Sequence, residues 1–156
     1  MSSALKVSAI LFVVDQLTKL AVVQWLNLKE IGVFEVFPPF LTFRMAWNQG
    51  VNFGLFASEQ EFTRWLLVCI AVAVSLWLLN WTRRMNHWTG PFFIGLVVGG
   101  AIGNAVDRVV YGAVADFLNM SCCGLNNPFA FNVADVAIFI GAFGLVLFSS
   151  KLEKQA

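Results

Sequence analysis

The sequence predicts an all-α membrane protein of four transmembrane helices, with a small extracytoplasmic, partly β section between the first and second. Three observations lead there: an apolar composition, four apolar stretches of spanning length, and Lys and Arg residues gathered at one set of span ends. Of 156 residues, 59% are hydrophobic and 12% charged, and the mean hydropathy is strongly positive. Soluble domains carry about twice that share of charge, so lipid is the expected solvent. A formal net charge of +1 and the absence of like-charge runs give no basic field for nucleic acid, which is excluded as a partner.

The apolar stretches cover residues 5–26, 62–81, 92–111 and 131–149, each close to the ~20 residues that cross the hydrocarbon layer. The first starts almost at once, yet Asp15 and Lys19 interrupt it and no A-x-A-like cleavage site follows, so it reads as a retained helix and not a signal peptide. Residues 27–61 form an outer section with Pro38-Pro39, short apolar runs and several charges, suited to short strands or an interfacial helix. Residues 112–130 form an outer loop. The chain as a whole, 1–156, reads as a single membrane domain.

Lys6, Arg83, Arg84, Lys151 and Lys154 flank one side of the spans, which makes that side cytoplasmic, with both termini on it. The other face carries Lys29, Arg44 and Arg64 balanced by Glu30, Glu35, Glu59 and Glu61. Trp25, Trp65, Trp81 and Trp88 lie near span ends, where amphipathic rings favour the headgroup zone. In the third span Gly95, Gly99 and Gly103 recur every four residues and leave one helix face without bulk for close packing; Gly141 and Gly144 serve the fourth span likewise.

An ionised side chain at the centre of a spanning helix costs roughly 2.5–3.5 kcal/mol on insertion scales, so each one calls for a partner, water or a function. With the first and third spans running outward, Asp15 and Lys19 lie in an outer half, one turn apart, and Asn104, Asp107 and Arg108 lie near an outer end. Asp116 follows just beyond, and Asp135 sits about one turn into the inward-running fourth span. Topology thus brings polar residues of three helices to one level. Asp15 with Lys19 and Asp107 with Arg108 read equally as site residues or as ion pairs that tie the bundle. Matching those cations to those acids leaves Asp116 and Asp135 unpaired, and two close carboxylates share one proton, so that one can act as base while the other donates.

Other chemistries lack the residues. His87, the only histidine, lies in the short cytoplasmic loop, and Cys69, Cys122 and Cys123 lack the spacing of a zinc or redox motif. Cys122 and Cys123 could form a vicinal disulfide in an oxidising compartment. A hard-cation site of carboxylates is a minor alternative.

The ordered set Asp15-Gln16-Leu17-Thr18-Lys19, Asn48-Gln49-Gly50-Val51-Asn52-Phe53-Gly54, Gly99 through Arg108, Asp116-Phe117 and Phe131-Asn132-Val133-Ala134-Asp135 strongly resembles lipoprotein signal peptidase, the bacterial signal peptidase II, over nearly the whole chain. The resemblance implies a membrane aspartic peptidase of the bacterial inner membrane. It would cut a prolipoprotein just before its diacylglyceryl-modified cysteine, with its active site near the outer face. The family's catalytic aspartates match Asp116 and Asp135. Its supporting or substrate-contacting positions match Asp15, Lys19, Asn48, Gly54, Asn104, Asp107, Arg108 and Asn132. No metal or other cofactor is implied; the partners are the prolipoprotein and membrane lipid, and a monomer is expected. The rival class is a proton-coupled carrier or channel, disfavoured because the polar residues cluster at one face and no internal repeat is evident.

Overall fold

A computed structural model describes residues 1–50, 57–85, 87–122 and 127–152, without the side chains of 57–59 and 149–152. Helix α1 (Ser2–Lys19) runs straight into a π-helical turn, Leu20–Trp25, followed by the short α2 (Leu28–Ile31). Strands β1 (Val33–Phe37) and β2 (Leu41–Asn48) come next, then α3 (Ala57–Trp81), α4 (Thr89–Tyr111), β3 (Val114–Met120) and α5 (Val133–Leu152). Among the described residues, three helical segments are long and apolar enough to cross a membrane, Ser2–Trp25, Gln60–Arg84 and Thr89–Tyr111; a shorter apolar helix covers Val133–Phe148. Large apolar side chains such as Ile10, Leu76 and Phe139 point outward, as a lipid-facing surface requires.

Helix α4 is the hub. It is far more buried than α1 or α3, and its neighbours reach it through the glycine face. A Cβ on Gly95 would stand 2.6 Å from Cβ of Val7, and one on Gly99 2.7 Å from the Ser8 carbonyl. One on Gly103 would stand 2.7 Å from an Asp15 carboxylate oxygen. The numbers rise together, so α1 and α4 run parallel. On the other side Gly100 meets the Ala134 carbonyl while Gly141 meets Phe93, so α5 runs antiparallel to α4. Lipid supplies no hydrophobic drive between helices, and small residues that let backbones touch take its place. Ala4, Leu78, Ile94 and Val98 form one buried apolar cluster, and Val23, Leu28, Ala115 and Phe117 form another beside Asp116.

The outer section does contain the expected short strands and a short helix, but the sheet is not confined to it. Its order is β1-β2-β3, antiparallel throughout, so the third strand comes from residues read in the sequence as an outer loop. Gly112, at φ +78°, ends α4 in the left-handed conformation that suits glycine and turns the chain into β3. Strand β3 pairs with β2 through Ala46 opposite Asp116 and Asn48 opposite Val114. The turn between β1 and β2 carries a cis Pro38-Pro39 bond. Phe131 bonds Leu118 in both directions, at 3.0 and 2.8 Å, and so pins the start of α5 beside β3.

Gly99→Val should lower stability by about 1–3 kcal/mol, the usual cost of overpacking a tight contact. Thermal unfolding in detergent checks it; an unchanged midpoint would mean that α1 and α4 do not pack as closely as described.

Candidate active site

Asp116 sits on β3 and is 2% exposed. Residues diagonal across an antiparallel pair share a face, so Asn48, two places beyond Ala46 on β2, reaches Asp116 and donates from Nδ2 to Oδ2 at 3.0 Å. The Asn48 side-chain oxygen accepts the Gly50 amide at 3.0 Å, which fixes its orientation. Asn132 Nδ2 donates to the other Asp116 oxygen at 2.6 Å. Asn132 precedes α5 and forms a reciprocal cap with Asp135. The Asp135 amide donates to Asn132 Oδ1 at 2.9 Å, and the Asn132 amide to Asp135 Oδ2 at 3.1 Å. Asn104 on α4 completes the link. Its Nδ2 donates to Asp135 Oδ1 at 2.8 Å, and its Oδ1 accepts from Asn132 and from Lys19, each at 3.2 Å.

A second cluster lies behind the first. Lys19 Nζ contacts Asp15 and Asp107, each at 2.8 Å, with both acids buried. The pairing of Asp107 with Arg108 read from the sequence is therefore corrected: successive residues on a helix point about 100° apart, and Asp107 turns to Lys19 instead. One cation serves both acids. Arg108 points elsewhere. Its Nη1 donates to the Asn104 carbonyl at 3.2 Å, its buried Nε has no hydrogen-bond partner among the described residues, and it lies in electrostatic reach of Asp116 and Asp135.

Asp15, Lys19, Asn48, Asn104, Asp107, Arg108, Asp116, Asn132 and Asp135 are thus connected. Gly54 lies outside the described residues, as does Cys123, so neither its place nor a Cys122–Cys123 bond is described. Two residues gain roles that the sequence reading did not give them. Gln16 donates to both Asp15 and Asp107 at 3.1 Å; its signal was an amide beside two ionisable residues within a span. Asn119 donates to the carbonyls of Asn127 and Phe129, at 2.8 and 2.7 Å, and holds the segment before α5.

The two clusters differ in charge balance. Asp15 and Asp107 have an ammonium between them, whereas Asp116 and Asp135 are held by neutral amides. Burial, and then the nearby Asp135 charge, push the Asp116 carboxyl up to about 6, against the hydrogen bonds from Asn48 and Asn132 and the Lys19 charge, which favour its ionised form. Two carboxylates that share a proton can take one from water and give one to a carbonyl oxygen. Among the described residues no three His, Cys, Asp or Glu side chains are arranged to hold a metal ion.

Residues 7–151 match the family model described as Signal peptidase (SPase) II. The chain belongs to the signal peptidase II family. Similar relatives include the lipoprotein signal peptidase of Methylorubrum extorquens (strain PA1), 46% identical over 76% of this chain and 68% of that protein. That of Methylobacterium sp. (strain 4-46) is 41% identical over 92% of this chain and 86% of its own length. A solved structure described as a bacterial membrane enzyme superposes with a TM-score of 0.80 at 25% identity, covering 97% of this chain and 94% of that one. As a signal peptidase II, the chain is a membrane-embedded peptidase, and the amide-held aspartates lie where its strand and helix ends converge.

Because the Asn48 bond favours the ionised carboxylate, its loss raises the pKa further. In Asn48→Ala, the Asp116 titration midpoint, read by carbon-13 NMR of labelled aspartate, should move above the wild-type value of about 6. A fall would show that Asn48 bonds the protonated form.

Proposed function

We propose that Asp116 and Asp135 are the catalytic pair of an aspartic endopeptidase that removes signal peptides from prolipoproteins by hydrolysing the bond before the diacylglyceryl-modified cysteine. The observation that carries this reading is that, among the described residues, these two carboxylates, joined through Asn132 and Asn104, have only neutral hydrogen-bond partners, while the neighbouring acids share Lys19. Water between them loses a proton to one carboxylate as it attacks the scissile carbonyl, and the other protonates the carbonyl oxygen. The resulting gem-diol collapses when the pair returns a proton to the leaving amine, so no covalent enzyme intermediate forms. The Arg108 guanidinium, in electrostatic reach of both carboxylates, is assigned to the substrate-contacting set, as is Asn48 beside Asp116. By its position in the second motif Gly54 is assigned a substrate-binding or site-supporting role.

The enzyme is taken to be a monomer of one membrane domain, crossing the bacterial inner membrane four times with α5 as the fourth span and both termini cytoplasmic. Lys6, Arg83 and Arg84 lie at the helix ends opposite the aspartates, which supports an active site near the outer face. There the signal helix would lie in lipid while its acylated cysteine sits at headgroup depth. Among the described residues the buried charged side chains, Asp15, Lys19, Asp107 and Asp116, all occupy that one end. That placement supports hydrolysis over a relay through the bilayer, which a carrier needs.

Purified wild type should cleave a diacylglyceryl-modified prolipoprotein in liposomes before the lipidated cysteine. Asp116→Asn and Asp135→Asn, folded as judged by thermal unfolding, should each lose at least roughly 100-fold in rate. Near-wild-type turnover by either variant would remove that residue from the catalytic pair.

A further inference from the structure

The Lys19 cluster touches backbone as well as side chains, and where it does so is specific. Asp15 Oδ1 accepts the Ala134 amide at 3.0 Å. Asp107 Oδ2 accepts the Ala115 amide at 3.2 Å. Ala134 immediately precedes Asp135, and Ala115 immediately precedes Asp116. Each buried acid therefore holds the amide of the residue just before one member of the pair, from an element to which that member does not belong: α1 holds the start of α5, and α4 holds β3. Lys19 joins the two acids, Gln16 bridges them a second time, and Lys19 also reaches Asn104, which orients the Asp135 carboxylate.

We propose that Asp15 and Asp107, joined through Lys19 and Gln16, are positioning residues that fix the separation of Asp116 and Asp135 through the amides of Ala134 and Ala115. The inference rests on the reading of Asp116 and Asp135 as the catalytic pair. Two independent elements have to meet at fixed spacing, and neither a three-stranded sheet nor the first turn of a helix sets that spacing alone. An acceptor that carries charge makes a stronger bond to an amide than a neutral one does, and the shared ammonium, 2.8 Å from each carboxylate, holds the two acceptors at one distance from each other. Burial also explains why a lysine is used: its compact charge contacts both carboxylates and the Asn104 oxygen with its three donors.

The test uses the full chain in detergent, with Asp15→Ala, Asp107→Ala and the shape-conserving Asp15→Asn and Asp107→Asn, and with Asp116→Asn as a control on the underlying reading. A misplacement of about 1 Å costs on the order of 100-fold in rate, so each alanine variant should lose roughly that factor in kcat with KM within about two-fold, and each asparagine variant, which keeps an oxygen acceptor, should recover about ten-fold of it. Amide hydrogen exchange, read by NMR on nitrogen-15 alanine, supplies the readout that general destabilisation would not give. Ala115 alone should exchange faster in the Asp107 variants, and Ala134 alone in the Asp15 variants. If an alanine variant does not fold, its asparagine counterpart carries both readouts. Wild-type kcat, a change confined to KM, or exchange at Ala115 and Ala134 that does not follow its own acid would overturn the inference. Activity surviving in Asp116→Asn would instead sink the catalytic assignment, while the exchange pattern would still decide whether the two acids hold those amides.

Discussion

The structure turns on one buried ammonium. Lys19 lies between Asp15 and Asp107, and burying charges in this way is tolerable only when every partner is present. Removing one member of such a group strands the others and typically costs several kcal/mol. The requirement propagates outward. Asp15 can reach Lys19 and Ala134 only because Gly103 leaves room for its carboxylate, and Gly103 continues the glycine face along which α1 lies on α4. Close packing of helices in lipid and assembly of the polar cluster are thus the same contact seen at two depths.

Two pairs of aspartates at the same membrane level are given different chemistry by their surroundings. Where a cation is shared, the carboxylates are structural acceptors for backbone amides. Where only asparagine amides are available, burial and mutual repulsion raise Asp116 into the range in which a proton can be exchanged. Asn104 connects the two worlds, since its oxygen faces Lys19 and its nitrogen faces Asp135. Asn132 does the same between strand and helix, its amide on Asp116 and its oxygen on the first turn of α5. No residue of this network is replaceable by a simple change of size, because each asparagine uses both ends of its side chain.

Most of the helical layout was legible because hydropathy over ~20 residues is a strong signal, and the family was legible from the ordered polar motifs. That Asp116 and Asp135 lie at one level followed from the span directions, and their pairing was read from charge counting and the family resemblance. What escaped was long-range pairing. Val114–Met120 is short, carries Asp and Asn among apolar residues, and pairs with a strand some 70 residues earlier, so nothing local marks it as part of the sheet. The Asp107–Lys19 contact was hidden for a like reason: adjacency made Arg108 the obvious partner, while helix geometry turns the two side chains apart. The π turn after Lys19 leaves no pattern in the residues, and Gln16 read as one more polar residue until its two carboxylate partners were placed.

The central claim is that Asp116 and Asp135 lie close enough to act as one proton-sharing pair, and the most direct measurement is the titration of Asp116 with and without its neighbour's charge. In Asp135→Asn the Asp116 midpoint, read by carbon-13 NMR, should fall below the wild-type value of about 6 yet stay above the ordinary value of 3.8, because burial remains when the repulsion is gone. A midpoint that does not move would contradict the account, since two carboxylates that do not sense each other cannot share a proton across an attacking water.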